Sequence, residues 1–195
     1  MKLSKKSALF TTLLATAVLA GCQSQSNTLT FTTPAPTSSF NTQNQTAMVN
    51  VTTQDQRPSA EVARYTTAGN VTSLTAVPDV RVLFQQAMQQ NLNSKGFTVV
   101  EGAANANVLV NVKKFFADVE QGNLRYKVNA NVSIEVVVQG ARGNFSKNFN
   151  TARGYEGAFN ADNNEIQKVL GSAYSDTIQA IYNDNEISQA IHQFK

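Results

Sequence analysis

Few side chains of this chain could carry out catalysis. His192 is the only histidine and Cys22 the only cysteine among 195 residues. A zinc site usually needs several histidine or cysteine ligands, so the sequence predicts none. In a helical register His192 lies on the side of Ser188, away from apolar Ile187 and Ile191, and we expect it to be exposed to solvent. The sequence also lacks a nucleophile elbow, a Walker loop and a dinucleotide-binding fingerprint.

Two carboxylates could imitate a catalytic pair. Asp118 and Glu120 are two residues apart, which puts both on one face of a strand. Paired carboxylates carry out acid–base chemistry in glycoside hydrolases. The next strand brings Lys127 and Arg125, which we expect opposite Asp118 and Glu120 across a hairpin. A solvated ladder of opposite charges is therefore the favoured interpretation.

Asp55 and Arg57 also share a strand face. A structural ion pair is the simplest interpretation of an opposite-charge pair at this spacing. The residues that could do chemistry thus predict that the chain is not an enzyme, and that it binds neither a metal nor a small-molecule cofactor.

The chain begins with an export signal. Three lysines precede an uncharged, mostly apolar run from Ala8 to Ala20, and this run is too short to span a bilayer. Leu-Ala-Gly-Cys at 19–22 resembles the bacterial lipobox, which implies cleavage between Gly21 and Cys22 and lipidation of Cys22. The alternative is a plain signal peptide cut near Ala20, with an incidental cysteine. We therefore divide off residues 1–21 as a lipoprotein signal peptide, and the membrane becomes a partner through Cys22.

The residue after the cysteine is Gln23. In lipoproteins of enteric bacteria an aspartate at this position resembles an inner-membrane retention signal. Its absence here implies transfer to the outer membrane, with the protein facing the periplasm.

The composition of the mature chain is balanced in charge. The whole chain has 16 lysines plus arginines against 13 acidic residues, and three of the lysines leave with the signal peptide. No basic footprint for nucleic acid remains. Residues 23–54 carry no charge and are rich in Ser, Thr, Asn and Gln, which predicts a lipidated Cys22 followed by a flexible polar tether over 22–45. Such a tether would span roughly 25–30 Å. A single domain over 46–195 follows, with a short edge strand possible at Thr28–Phe31.

The pattern of the domain predicts an α+β fold: an antiparallel β-sheet with two main α-helices packed on one face. Helix one carries an apolar stripe from Val80 to Leu92 and ends at Gly96, and helix two opens at Asp162 with Glu165 as a capping box. A short terminal helix follows. The predicted strands begin at Met48, run over 61–66 and 71–76 as a hairpin, and continue over 108–120, 124–139 and 144–159, the last as an edge strand.

The strands before and after Gly122 form the centre of the predicted sheet. Apolar residues of 108–120 change from even to odd positions, which predicts a β-bulge at Lys113-Lys114. A two-residue turn at Gly122-Asn123 sets Val119 opposite Tyr126. Beyond the bulge, the predicted register sets Val112 against Ile134.

Four stretches carry a family resemblance: Asp-Gln-Arg-Pro at 55–58, Leu-Thr-Ala at 74–76 with Asp-Val-Arg at 79–81, Phe-Ala-Asp-Val-Glu-Gln-Gly-Asn-Leu-Arg-Tyr at 116–126, and Glu-Gly-Ala-Phe at 156–159. Together they resemble the YajG family of bacterial lipoproteins, over nearly the whole mature chain. The resemblance implies an outer-membrane lipoprotein without established activity and without catalytic residues to carry over. The order of elements is also similar to that of envelope accessory lipoproteins, but this likeness rests on architecture alone.

Two functional hypotheses remain open. The first is a lipid-anchored, non-catalytic adaptor that holds an envelope protein, with a surface formed by Asp118, Glu120, Arg125, Tyr126, Lys127, Arg153 and Tyr155. The second is a direct binder of peptidoglycan or lipopolysaccharide, which would use the basic residues Arg125, Lys127, Arg142, Lys147 and Arg153 beside Tyr126 and Tyr155.

Overall fold

The computed structural model describes residues 26–67 and 69–195. Residues 1–25, with the predicted signal peptide, Gly21 and Cys22, lie outside the described residues. The strands are β1 (Thr28–Thr30), β2 (Met48–Asp55), β3 (Glu61–Thr67), β4 (Asn70–Val77), β5 (Thr98–Val100), β6 (Ala106–Gln121), β7 (Arg125–Gly140) and β8 (Gly143–Ala158). The helices are α1 (Val80–Ser94), α2 (Asn163–Tyr182) and α3 (Glu186–Phe194), and a 3₁₀ turn covers Thr42–Thr46. The α+β class is confirmed.

Three long antiparallel strands, β6, β7 and β8, form the largest part of the sheet. Alternation along β7 buries the even-numbered residues from Tyr126 to Val138 and leaves the odd-numbered ones partly or fully exposed. The predicted bulge is confirmed, because the pairing shifts between Val112 and Lys114 while Val112 stays opposite Ile134. β8 pairs only with β7, as expected for an edge strand.

The register next to the turn differs from the prediction by two residues. Glu120 lies opposite Lys127 and Val119 opposite Val128, because the turn centres on Asn123-Leu124 and Gly122 closes it by donating to the Arg125 carbonyl at 2.8 Å. The extra residue of the bulge belongs to β6. Between the bulge and the turn, each β6 residue therefore pairs with a β7 residue further from the turn than the prediction had it.

The prediction of a purely antiparallel sheet was wrong, because four of the pairings are parallel. β2 and β3 both run parallel to β6, β5 runs parallel to β2, and β1 runs parallel to β4. Alternation identifies a strand and its buried face, but it does not identify a neighbour that lies 50 residues away in the chain. The long connection from β2 to β6 contains α1, as parallel pairing requires.

Both long helices pack on the same face of the sheet. Phe84 of α1 and Tyr174 of α2 meet Phe115 of β6 with ring centroids 6.1 and 5.8 Å apart, and Phe31 completes a cluster of edge-to-face rings. Half of the predicted capping box forms. The Asp162 side chain accepts from the backbone N–H of Glu165 at 2.8 Å, whereas Oε2 of Glu165 is buried without a hydrogen-bond partner among the described residues.

The segment over 26–45 packs on the domain, which corrects the prediction of a flexible tether for these residues. Leu29 and Phe31 are 1% and 4% exposed, and β1 extends the sheet as the edge strand considered above. The Tyr182 hydroxyl donates to the Pro34 carbonyl at 2.8 Å. A polar composition predicts that a segment cannot fold alone, but two apolar side chains are enough to dock it on a core built by other elements.

Candidate functional site

A fork in the sheet creates the most distinctive surface feature of the described residues. β2 and β3 share one edge of β6: β2 pairs with 106–112 and β3 with Ala117 and Asp118. Residues 113–116 of β6 lie between them. The chain from Gln56 crosses this gap, and the Gln56 N–H donates to the Val112 carbonyl at 2.9 Å.

The side chain of Arg57 closes the base of the fork. Its Nη1 donates to the carbonyls of Glu61 at 3.1 Å and Phe115 at 3.3 Å, which ties β3 to β6. Its Nε and Nη2 donate to both oxygens of Asp55 at 2.9 and 2.7 Å. The predicted structural ion pair is therefore confirmed, and the Arg57 side chain is only 4% exposed.

The charge of Asp55 is stabilised by this arrangement. Burial on its own would raise the pKa of Asp55, but the hydrogen bonds and charge of Arg57 outweigh it and lower the pKa below its usual value. Asp55 thus stays ionised at neutral pH and orients the guanidinium, which fits a structural role.

Above Arg57 the fork opens into a groove of about 890 Å³ on the face of the sheet opposite the helices. Phe115 points into the core, so its neighbours Lys114 and Phe116 point to the open face. We call this feature the fork groove and define it by its lining residues: Arg57, Pro58, Ser59, Glu61, Arg64, Lys113, Lys114, Phe115, Phe116, Asp118, Val119, Glu120 and Asn129. Basic and acidic side chains alternate around a partly apolar floor.

The structure brings two residues of the sequence-predicted surface into the fork groove. Asp118 and Glu120 both line it and are exposed. Their partners differ from the prediction, because Asp118 faces Asn129 and Glu120 faces Lys127. Among the described residues neither carboxylate forms an ion pair within 4.0 Å. Arg125 and Lys127 are exposed on the same face, nearer the hairpin turn.

The other three residues of the predicted surface lie on the helix side. Tyr126 is 6% exposed, with its ring against Gly157 and 6.2 Å from the ring of Tyr155. Arg153 forms an ion pair with Asp176 of α2 at 2.5 Å. The prediction of one continuous surface was wrong, because adjacent positions on a strand point to opposite faces.

The basic set predicted for an anionic ligand is also divided. Lys147 lies 2.5 Å from Asp184 and 2.8 Å from Glu186, whose hydrogen bonds raise its pKa. Arg142 donates from Nε to the carbonyl of Lys195 at 3.0 Å. Carboxylates after α2 and in α3 pair with Lys147, and Arg142 is turned toward the C-terminal carbonyl, so these side chains do not form a positive patch with Arg125.

His192 is half-buried, which corrects the prediction of an exposed residue. Its Nε2 lies 2.7 Å from Oδ1 of Asn44, and its ring lies 5.5 Å from that of Phe97. Burial, reinforced by the charge of Lys195, lowers the pKa of His192. The helical pattern could not reveal this, because the covering residues Asn44 and Phe97 lie about 150 and 95 residues earlier in the chain. Within residues 26–67 and 69–195 no three His, Cys, Asp or Glu side chains cluster as metal ligands would.

Among the groove residues that sequence reasoning missed are Arg64, Lys114 and Phe116. The only signal for them was the bulge at Lys113-Lys114, which interrupts the pairing beside the fork. Arg57 was identified as an ion-pair partner, but its contacts to two strands depend on the parallel pairing of β3.

A mixed sheet with helices on one face and an open groove on the other defines an α+β domain, and comparison with known proteins gives its class. Residues 34–192 match the model of a family described as uncharacterized lipoprotein. The chain is 31% identical over 186 residues to "Uncharacterized lipoprotein YajG" of Escherichia coli K12, covering 93% of this chain and 94% of that protein, and the protein of the same name from strain O6:H1 gives the same values. The chain therefore belongs to the YajG family of bacterial lipoproteins.

Two solved structures share the fold. A protein of the DUF330 family from Xanthomonas campestris aligns with a TM-score of 0.55 at 12% identity, over 80% of this chain and 91% of its own. A putative neuraminyllactose-binding hemagglutinin homolog from Helicobacter pylori aligns with a TM-score of 0.52 at 11% identity, over 85% of this chain and 96% of its own. At these identities the likeness concerns the fold alone. None of the helices in the described part of the chain is both long and apolar enough to cross a membrane.

Proposed function

We propose that this chain is a lipid-anchored, non-catalytic adaptor of the outer membrane that faces the periplasm and binds a segment of an envelope protein in the fork groove. Membership of a lipoprotein family and the lipobox at 19–22 support the anchor. The fork groove is the observation that carries the binding role.

The charges of the fork groove favour a polypeptide as its occupant. Arg64 is paired with Glu61 at 2.5 Å and Lys113 with Glu135 at 3.1 Å, whereas Asp118 and Glu120 remain available to a cationic partner. A partner with both charge signs and an apolar residue would match Lys114, Asp118 and the floor at Phe116. A polyanion such as lipopolysaccharide would meet exposed carboxylates instead, so we do not favour the second hypothesis.

The anchor is tested by changing its modification site. Cys22→Ser should leave an uncleaved precursor without lipid, which mass measurement of the purified protein detects. Gln23→Asp should keep lipidation but move the protein from outer- to inner-membrane fractions on a density gradient. Normal processing of Cys22→Ser would contradict the anchor, and an unchanged position of Gln23→Asp would contradict the sorting argument.

The partner is sought by photo-crosslinking in living cells at native expression level. The photoreactive residue replaces Lys114 or Asp118 in the groove, and Gln86, which is exposed on α1 at the opposite face, is the matched control. We expect one dominant protein adduct from both groove positions and not from Gln86. Asp118→Lys, combined with the crosslinker at Lys114, should reduce that adduct severalfold.

Other outcomes would contradict this function. Glycan or lipid adducts from the groove would favour direct ligand binding. If the groove positions give no more adducts than Gln86, the fork groove is not the binding surface.

A further inference from the structure

The described chain enters the domain at one end of the sheet. β1 runs parallel to β4, with Thr28 opposite Thr75, so Ser26 lies toward the β3–β4 turn. The Ser26 carbonyl accepts from Nδ2 of Asn163 at 2.9 Å, which fixes the entry point beside the first residue of α2. We call this the entry end.

Both hairpin turns of the fork also lie at the entry end. β3 and β6 are parallel, so both run toward it, and β3 turns into β4 where β6 turns into β7. β8 finishes there too, since the Phe159 N–H donates to the Leu124 carbonyl at 3.0 Å. In order across this end come β4, β3, β6, β7 and β8, a row roughly 20 Å wide at the usual strand spacing.

Three large apolar side chains project from this row. Val71 is 64% exposed, Leu124 75% and Phe159 73%, the three highest exposures among the large apolar residues described. Phe159 has a φ of 67°, a left-handed conformation that costs a bulky residue free energy. Gln121 fixes it by donating from Nε2 to the Phe159 carbonyl at 2.8 Å. The backbone is thus held in a conformation that keeps the aromatic ring outside the core.

The turns that project from the entry end carry little charge. The segments 26–36, 66–74, 121–125 and 157–161 contain a single ionisable side chain, Arg125, and the exposed acidic residues Glu120 and Asp162 border them. An apolar and amide-rich surface with one arginine suits the interfacial region of a phospholipid leaflet, where the guanidinium can pair with phosphate.

The distance from the lipidation site limits where this end can go. Only four residue steps separate Cys22 from Ser26, and a fully extended chain covers about 14 Å over that length. The headgroup region of one leaflet is itself about 5–8 Å thick. A domain held this closely rests on the surface, whereas the tether predicted from composition would have raised it by 25–30 Å.

We propose that the entry end docks directly on the phospholipid leaflet that holds the anchor, with Leu124 and Phe159 inserted in the interface and Val71 beside them. This inference rests on the proposed lipidation of Cys22. It adds a second membrane contact, which fixes the orientation of the fork groove relative to the bilayer.

The test uses the mature lipidated chain in vesicles of phosphatidylethanolamine and phosphatidylglycerol. Lipid blocks the thiol of Cys22, so a single introduced cysteine can be labelled with an environment-sensitive fluorophore. The labelled positions are Leu124→Cys, Phe159→Cys and, as control, Met48→Cys, which is 44% exposed at the opposite end of β6, roughly 50 Å away by strand length. Circular dichroism checks that each variant is folded.

We expect a blue shift and loss of emission with headgroup-region nitroxide lipids for labels at 124 and 159, and neither for the label at 48. Equal behaviour of all three labels on vesicle-bound, lipidated protein would overturn the docking while leaving the anchor intact. A blue shift without quenching by the nitroxide lipids would show that protein, such as a second copy of the chain, covers this end, and would also overturn it. Absence of lipid from Cys22 by mass measurement would overturn the anchor and this inference together.

Discussion

Replacing Arg57 should destabilise the fold far more than replacing an arginine in an exposed ion pair. Arg57→Met removes four hydrogen bonds: two to the Asp55 carboxylate and one each to the carbonyls of Glu61 and Phe115. Loss of one partner of a buried pair costs about 3–5 kcal/mol. The side chain of Asp55 keeps 24% exposure, so water can partly solvate it. We therefore expect the low end of that range, about 3 kcal/mol.

Arg64→Met is the matched control. Arg64 pairs with Glu61 at 2.5 Å, but its side chain is 56% exposed, and exposed pairs contribute little to stability. The assay is urea unfolding of a soluble form that begins at Gln23. With a slope of about 2 kcal/mol per molar, the midpoint should fall by about 1.5 M for Arg57→Met and much less for the control. Equal shifts would refute the argument that Arg57 secures the fork.

The ion pair of Arg57 and Asp55 also predicts how stability depends on pH. The pKa of Asp55 is lower in the folded protein than in the unfolded chain. The ionised carboxylate therefore stabilises the fold at pH values above its unfolded pKa of about 4, and this stabilisation is lost as the pH falls through its folded pKa. The difference in stability between the parent and Arg57→Met should therefore shrink below pH 4. A difference that stays constant down to pH 3 would mean that the hydrogen bonds to the two carbonyls dominate.

Three further outcomes follow from the packing. Phe115→Ala, at the centre of the ring cluster, should cost about 3–5 kcal/mol in the same urea assay. Gly157→Ala places a methyl group against the buried ring of Tyr126 and should lower the free energy of unfolding by about 1–3 kcal/mol. The control is Gly154→Ala, whose added methyl group has its nearest neighbour 3.5 Å away and should change stability little. Equal effects of the two substitutions would contradict the close contact between Gly157 and Tyr126. Burial lowers the pKa of His192, so the melting temperature should fall as the pH drops below about 6.5, and His192→Gln should abolish that fall; a parent without any pH dependence in this range would contradict it.

The two proposals together place the fork groove near the membrane. Asp118 is three residues from the end of β6, roughly 10 Å along the strand from the entry end. If this end rests on the leaflet, the groove opens just above the headgroups. A partner would then be a membrane-proximal segment of an envelope protein, which the crosslinking experiment can identify.

Much of the local structure could be predicted from the sequence. The alternation along 124–139 identified β7 and its buried face, the change of phase at Lys113-Lys114 identified the bulge, and Asp162 with Glu165 identified the start of α2. Each of these features depends on residues close together in the chain. Their physical cause, side-chain period or a local hydrogen bond, is therefore visible in the sequence itself.

Only the tertiary structure decided which surfaces are formed. The parallel pairing of β2 and β3 with β6 created the fork. Burial of Leu29 and Phe31 packs the segment over 26–45 on the domain, where a flexible tether was predicted. Carboxylates from the C-terminal part of the chain pair with Lys147 and Arg153. These contacts join segments from 23 to more than 100 residues apart, and many alternative pairings satisfy the same local pattern. The sequence by itself therefore determined all strands except β5, the helices, the family and the predicted lipidation site, while packing between distant segments decided β5, the fork groove and the apolar entry end.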